Sequence, residues 1–288
     1  MKRIFLRAAA KLNFTLDITG TRPDGYHLLR MVMQSVSVYD TLALQKAPEI
    51  SLQAAQLATP QNLAWKAAAA FFARAGIAGG VSITLEKAIP SQAGMGGGSA
   101  DAAGVLVGLN TLYKAGLSTE ALQEIGETIG ADVPYCIVGG TALVEGIGDL
   151  VTPLAPMRGG AFAVLKPSWG ISTVEAYRAY DQAPCPNHPD TETLARDLAA
   201  GNLQGLAPNM VNVLEQASGH LDEIEVLRQL LLERGALAAR MTGSGSAVYG
   251  VFPDLEQAKA CVSQISRPGL WTYAAEPVKQ GIEILSME

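Results

Sequence analysis

Residues 90–103 read Pro-Ser-Gln-Ala-Gly-Met-Gly-Gly-Gly-Ser-Ala-Asp-Ala-Ala, a glycine-rich stretch between a strand-like segment, Val81 to Lys87, and a run of small residues with helical character. Such a junction suits a phosphate. Glycine at 94, 96, 97 and 98 lets the backbone take positive φ and come close to an anion, while the first free N–H groups of the following helix point at it. Ser99 adds a hydroxyl at the helix start, suited to a phosphate oxygen or a phosphate-bound magnesium ion. The stretch is not a Walker loop, because the lysine is missing. It is a poor dinucleotide fingerprint too, because more glycines follow Gly96 and no acid stands about twenty residues on. A flexible surface loop is the alternative, which the order strand, loop, helix makes less fitting. A second cluster, Met241-Thr-Gly243-Ser-Gly245-Ser-Ala247, lies between two short strands, where a tight hairpin turn explains it about as well. Two glycine loops in different halves suggest a phosphate chain held by the first, with the second closing beside the transferred group.

Several single residues have two readings each. Asp132, in Gly130-Ala-Asp-Val-Pro134, is a carboxylate in a mostly neutral stretch and also a fitting helix N-cap. Lys11 follows three alanines in a strand-like segment, where a solvated edge lysine is the plain reading. Tyr26-His27 after a turn reads as half-buried packing, and Tyr177 as a helix residue facing the core. His188 and His220 sit in polar contexts that favour surface roles. Cys136, Cys185 and Cys261 are odd in number and far apart, which signals neither a disulfide framework nor a zinc site; all three read as structural.

The elements that must hold these residues begin with β patterns at Ile4 to Ala8, Leu12 to Thr19 and Leu28 to Leu44, broken by the turn Thr21-Arg-Pro-Asp-Gly25. Thr59-Pro60 predicts the start of an alanine-rich helix that Gly76 ends. After the strand Val81 to Lys87 and the glycine loop, helices are predicted over Ala100 to Tyr113 and Ser118 to Ile129, the latter capped by Ser118. Strands at Thr141 to Glu145 and Ala161 to Leu165 flank the turn-rich Gly146 to Gly159, where a domain boundary is placed. This gives residues 1–155 as an N-terminal unit and 156–288 as a C-terminal one. The second half alternates helices near Val174 to Asp181, Thr191 to Ala199, Asn209 to Ala217 and Leu221 to Arg234 with strands near Ala236 to Met241 and Ala247 to Phe252, an α+β pattern.

The 288 residues, 49% hydrophobic and 17% charged, can bury one large core or two moderate ones, and the length favours two domains. A net charge of −6 with no basic run speaks against a nucleic-acid or membrane surface, so an anionic ligand needs local devices to hold it. The N-terminal charges precede no sustained apolar core and no cleavage-site pattern, and no segment reaches 18 uninterrupted apolar residues; a cytoplasmic protein is expected.

Three ordered motifs, Ala9-Ala-Lys11-Leu-Asn13, Pro90 to Ala103 and Met241 to Ala247, together resemble the GHMP kinase superfamily over nearly the whole chain. Four segments, Ala10-Lys-Leu-Asn13, Arg22-Pro-Asp-Gly-Tyr-His27, Gly130-Ala-Asp-Val-Pro134 and Gly140-Thr-Ala-Leu-Val-Glu-Gly146, most resemble the branch of isoprenoid-precursor synthesis that phosphorylates a cytidine diphosphate sugar alcohol. The resemblance implies a ribosomal protein S5 domain 2-like N-terminal domain and a ferredoxin-like C-terminal domain with the site between them, acting on ATP with Mg2+ as a monomer or homodimer. It makes Asp132 the base and Lys11 the catalytic cation. ATP falls to Pro90, Ser91, Gln92, Ala93, Gly94, Met95, Gly96, Gly97, Gly98, Ser99 and Ala100, with Asn62 at the adenine by position. Asn13, Tyr26, His27, Thr173 and Tyr177 fall to the substrate, the two tyrosines flanking the cytosine. Many members carry two hydroxyl residues after the loop glycines; here Ser99-Ala100 leaves Ser99 alone as the candidate metal contact.

Overall fold

The computed structural model describes residues 2–55, 58–183 and 187–288. β1 (Arg3–Thr21) and β2 (His27–Ala47) form a long antiparallel hairpin. The predicted break near Ala9 does not interrupt β1. Register slips at Ala9/Ala10, Asn13/Thr15 and Ile18/Gly20 are absorbed as bulges, which bend the strand while the ladder continues. β3 (Ser51–Ala54) is a short edge. α1 (Leu63–Ala75) starts at Leu63 and not at Pro60, because the Asn62 side chain accepts from Ala64 N at 2.9 Å and so sets the first turn. β4 (Gly80–Glu86) pairs with β2 and, in parallel, with β3.

α2 (Gly97–Tyr113) begins inside the glycine run, three residues before its predicted start. α3 (Thr119–Glu127) is capped by Ser118 as expected, and α4 (Val133–Val138) is a further short helix. β5 (Thr141–Gly146) extends the sheet along the first half of β2, and β6 (Leu150–Pro153), in the stretch read as turns, pairs with β5. α2 lies on β1 and β2 with α1 and α4 beside it. Its buried face is made of Ala100, Ala102, Ala103, Val105, Leu106 and Leu109 among others. Small side chains there let helix and sheet approach closely.

β7 (Ala161–Pro167) opens a second sheet, followed by α5 (Thr173–Gln182), α6 (Thr191–Ala200), the one-turn α7 (Val213–Gln216) and α8 (Leu221–Leu232). β8 (Ala238–Met241), β9 (Val248–Phe252), α9 (Leu255–Ser263) and β10 (Leu270–Ala275) complete it. The strand order is β10-β7-β9-β8, all antiparallel, the β-α-β-β-α-β arrangement of ferredoxin-like folds. The helix predicted over Asn209 to Ala217 shrinks to α7, with Asn212 as its cap.

β11 (Ile282–Met287) then pairs antiparallel with β1, so the chain ends in the sheet where it began, although the division at 155/156 assigns these residues to the second unit. Phe14 of β1 packs against Phe162 at 5.9 Å and Tyr249 at 6.0 Å between ring centroids, joining the two cores beneath the cleft. Among the described residues Cys136 and Cys261 are free and buried, while Cys185 lies outside them. No helix among the described residues is long and apolar enough to cross a membrane.

Candidate active site

A cleft of about 1320 Å³ lies between the two sheets, lined by both glycine loops, Lys11, Asn13, Asp132, Tyr26, His27, Thr173 and Tyr177. Gly94 and Gly96 have φ of +70°, which forms the tight turn before α2. Gly97 and Gly98, also expected at positive φ, are instead helical. α1, α3, α6, α7 and α9 each have a side-chain N-cap, whereas α2 follows Gly96 with no side-chain cap and no acid in its first turn. Its leading N–H groups, with the positive end of the helix dipole, are therefore available to an anion.

The second glycine loop sits directly against the first. Ser246 N donates to Gln92 O and Ala247 N to Ala93 O, both at 3.2 Å, and Thr242 Oγ1 donates to Gly94 O at 3.2 Å. A Cβ on Gly94 would lie 2.0 Å from Thr242 O. The hairpin-turn and phosphate-loop readings of residues 241–247 are thus compatible, since the turn joins β8 to β9 and also abuts the first loop.

Lys11 is not a solvated edge lysine. It is 3% exposed, and its Nζ donates to Asn13 Oδ1 at 2.6 Å and lies 3.6 Å from Asp132 Oδ2. Lys11 and Asn13 share a face of β1 because strand side chains alternate. Met95 O accepts from Lys11 N at 3.0 Å, so the same strand residue anchors the glycine loop. Asp132 occupies the N-cap position of α4 but makes no side-chain capping bond, and its carboxylate turns into the cleft beside Lys11. The two residues, 121 positions apart in the chain, are brought together by the α2–α4 packing against β1.

On the opposite wall, Tyr177 of α5 stacks on His27 with centroids 4.9 Å apart and planes 21° from parallel. His27 Nε2 is 2.7 Å from Asp181 Oδ1. Tyr26, expected to face Tyr177 across a base, is 61% exposed in the turn before β2, and His27 is the ring partner of Tyr177. The first residue of the strand packs against α5, and the turn residue before it lines the cleft with its ring open to solvent. Burial pushes the Tyr177 hydroxyl pKa up, with Asp132 adding to the effect. Thr173 Oγ1 lies 3.2 Å from Ser244 Oγ, tying this wall to the second glycine loop.

Residues 62–140 match the GHMP kinases N terminal domain family and residues 193–269 the GHMP kinases C terminal family. A 4-diphosphocytidyl-2-C-methyl-D-erythritol kinase of Clostridium tetani is 43% identical over 89% of this chain and 93% of its own length. One of Carboxydothermus hydrogenoformans is 44% identical over 94% and 97%. The chain belongs to this family of GHMP kinases. A crystal structure of a 4-(cytidine 5'-diphospho)-2C-methyl-D-erythritol kinase superposes with a TM-score of 0.82 at 32% identity, covering 94% of this chain and 99% of that one.

In this GHMP kinase two of the expected site residues stand outside the cleft lining. Asn62 places its side-chain oxygen on the first turn of α1, and Ala100 is fully buried beneath the loop. Lys87 and Arg178 line the cleft and were not among the expected residues. Lys87 carried a signal, as the last polar residue of a strand running into the glycine loop. Its Nζ bridges Asp40 and, at 2.6 Å, Asp101. Burial works against the Lys87 ammonium, but Asp101 and Asp40 outweigh it and hold its pKa up. Asp40 also accepts from Ala88 N and Ile89 N, at 2.7 and 2.9 Å. Asp101 has one oxygen without a partner, and burial pushes its pKa up to about 8 against the pull of Lys87. Asp101 and Glu145 are engaged with Lys87 and Arg30.

Proposed function

We propose that this kinase transfers the γ-phosphoryl group of ATP to the 2-hydroxyl of 4-diphosphocytidyl-2-C-methyl-D-erythritol, giving the 2-phosphate and ADP in the non-mevalonate pathway to isoprenoid precursors. One observation carries the reading: buried Lys11 and half-buried Asp132 meet in a single cleft that holds a phosphate-type loop on one side and a stacked aromatic wall on the other. In the reaction Asp132 accepts the proton of the attacking hydroxyl. Lys11, held by Asn13, orients that hydroxyl and offsets charge on the moving phosphoryl group. The N-terminus of α2 receives the ATP phosphates.

Magnesium fits this donor set in a limited way. No group of three or more histidine, cysteine, aspartate or glutamate side chains that could enclose a metal occurs among the described residues. The cleft therefore suits an ion carried mainly by phosphate oxygens and water, with the Ser99 hydroxyl as the protein contact. When bound, such an ion would supply positive charge that offsets the negative charge of the phosphates. We place the enzyme in the cytoplasm, where ATP is supplied.

The cytidine assignment rests on the wall of Tyr26, His27 and Tyr177, which a small acceptor such as homoserine or mevalonate would not use. Arg178, beside Tyr177, lines the same wall and forms no hydrogen bond or ion pair among the described residues, so its charge is free for a diphosphate. A non-catalytic nucleotide sensor is disfavoured, since a binding module gains nothing from burying a lysine beside a carboxylate. In a coupled ADP-release assay, turnover is expected with the cytidyl substrate and not with homoserine or mevalonate; preference for either of the latter overturns the assignment.

Replacing Tyr177 with Ala removes a stacking face worth about 1–3 kcal/mol per base. Apparent affinity for the cytidyl substrate should fall about 5- to 150-fold at tenfold per 1.4 kcal/mol, with ATP binding almost unchanged. Tyr26→Ala should behave alike, and because Tyr26 is exposed its melting temperature should stay at the wild-type value. Normal substrate binding with a lowered melting temperature in both variants would make these rings packing alone.

A further inference from the structure

Behind the second glycine loop, on the side away from the cleft, one buried amide holds the turn in place. Asn212 is 2% exposed, and its Nδ2 donates to Met241 O at 2.9 Å and to Gly243 O at 2.8 Å. Its Oδ1 accepts from Leu214 N at 3.0 Å, capping α7. The backbone here is tied to β1, because Leu16 N donates to Val211 O at 2.9 Å and Leu16 bridges to Asn212. Beside it the buried Glu215 accepts from Met241 N at 2.6 Å and faces Arg240 at 3.1 Å and Arg228 at 3.7 Å.

The front of the loop has no slack. A Cβ on Gly243 would lie 2.8 Å from Gly94 O and 3.1 Å from Lys11 Nζ, so the turn packs against both the phosphate loop and the lysine. Thr242 Oγ1 also accepts from Asn13 N at 3.0 Å. Two carbonyls two residues apart, bound by one amide, fix the width and depth of the turn. If they are released, nothing behind the turn holds it in register with Lys11 and the first loop.

We propose that Asn212 is a positioning residue for phosphoryl transfer, acting through the Met241 and Gly243 carbonyls to set the second glycine loop against Lys11 and the first loop. The inference rests on the reading of Lys11 as the cation at the transferred group. Asn212 touches neither substrate, and Glu215 holds the loop's leading strand alongside it.

The test is Asn212→Asp, which keeps the oxygen that caps α7 and replaces both donors with an acceptor facing two carbonyls. Turnover should fall by about 30-fold or more, as displacements near 1 Å at a reacting centre do, while the KM for the cytidyl substrate stays within about twofold because the aromatic wall is untouched. Leu194→Ala, a core change on α6, serves as the control for lost stability and should keep its turnover well below its melting temperature. If Asn212→Asp does not fold, Asn212→Ser is read by the same measures, since a short hydroxyl can cap α7 but cannot reach both carbonyls. Turnover within twofold of wild type in a folded variant overturns the proposal. So does a loss that tracks melting temperature as Leu194→Ala does, or one confined to substrate KM. Should wild type prefer another alcohol acceptor, the substrate reading fails, and the ratio of variant to wild-type turnover on that acceptor still decides the role of Asn212.

Discussion

Asp132→Asn is expected to leave a folded kinase whose turnover is lower by about 100-fold or more, with nucleotide affinity almost unchanged. Asparagine keeps the shape of the side chain and its place beside Lys11, 3.6 Å away, but cannot take the proton of the attacking hydroxyl. Asp132 makes no capping bond on α4, so the substitution removes none from the helix. The result is read by coupled ADP release for turnover and calorimetry for ATP binding. Near-normal turnover would place the proton acceptor elsewhere or leave positioning alone as the source of rate.

Gly96→Val should be comparably damaging through a different step. With φ at +70°, valine is held in a region that costs on the order of 1–3 kcal/mol. The new Cβ would lie 3.1 Å from Lys11 Cγ and 3.7 Å from Asp132 Oδ2, and its methyl groups would fill the gap between them. The turn ahead of α2 must then open, carrying its uncapped N–H groups away from the phosphates. ATP affinity is expected to fall at least about tenfold, the equivalent of 1.4 kcal/mol, and turnover with it. Calorimetry on a variant that circular dichroism shows to be folded is the check, and unchanged nucleotide affinity there removes the phosphate role of this loop.

The site was legible where its chemistry is local in sequence. A strand that ends in glycines and passes into a helix of small residues already specifies positive-φ turns and free N–H groups, because both depend on a few consecutive residues. Asp132 was readable as a candidate from its residue type, and Lys11 and Asn13 only through the family resemblance; their proximity was not readable, because it depends on α2 and α4 packing on β1. The edge-lysine reading failed for the same reason, and the N-cap reading held for the position of Asp132 but not for a capping bond. Exposure and capping are decided by what packs beside a residue, and for Lys11 that is Asp132, Asn13 and both glycine loops.

The sequence by itself determined the α+β character, the two glycine turns, the long hairpin of β1 and β2, and most helices of the second half, since periodicity, capping residues and glycine act over one or two turns. Only the tertiary structure decided that the two loops touch, that His27 and not Tyr26 lies against Tyr177, and that β11 closes onto β1 some 270 residues away along the chain. It also placed Asn212 behind the second loop, where the sequence put it inside a helix predicted over Asn209 to Ala217. Each of these depends on which surfaces exclude water against each other, and that choice is made among segments distant in sequence, where no short window of residues carries the information.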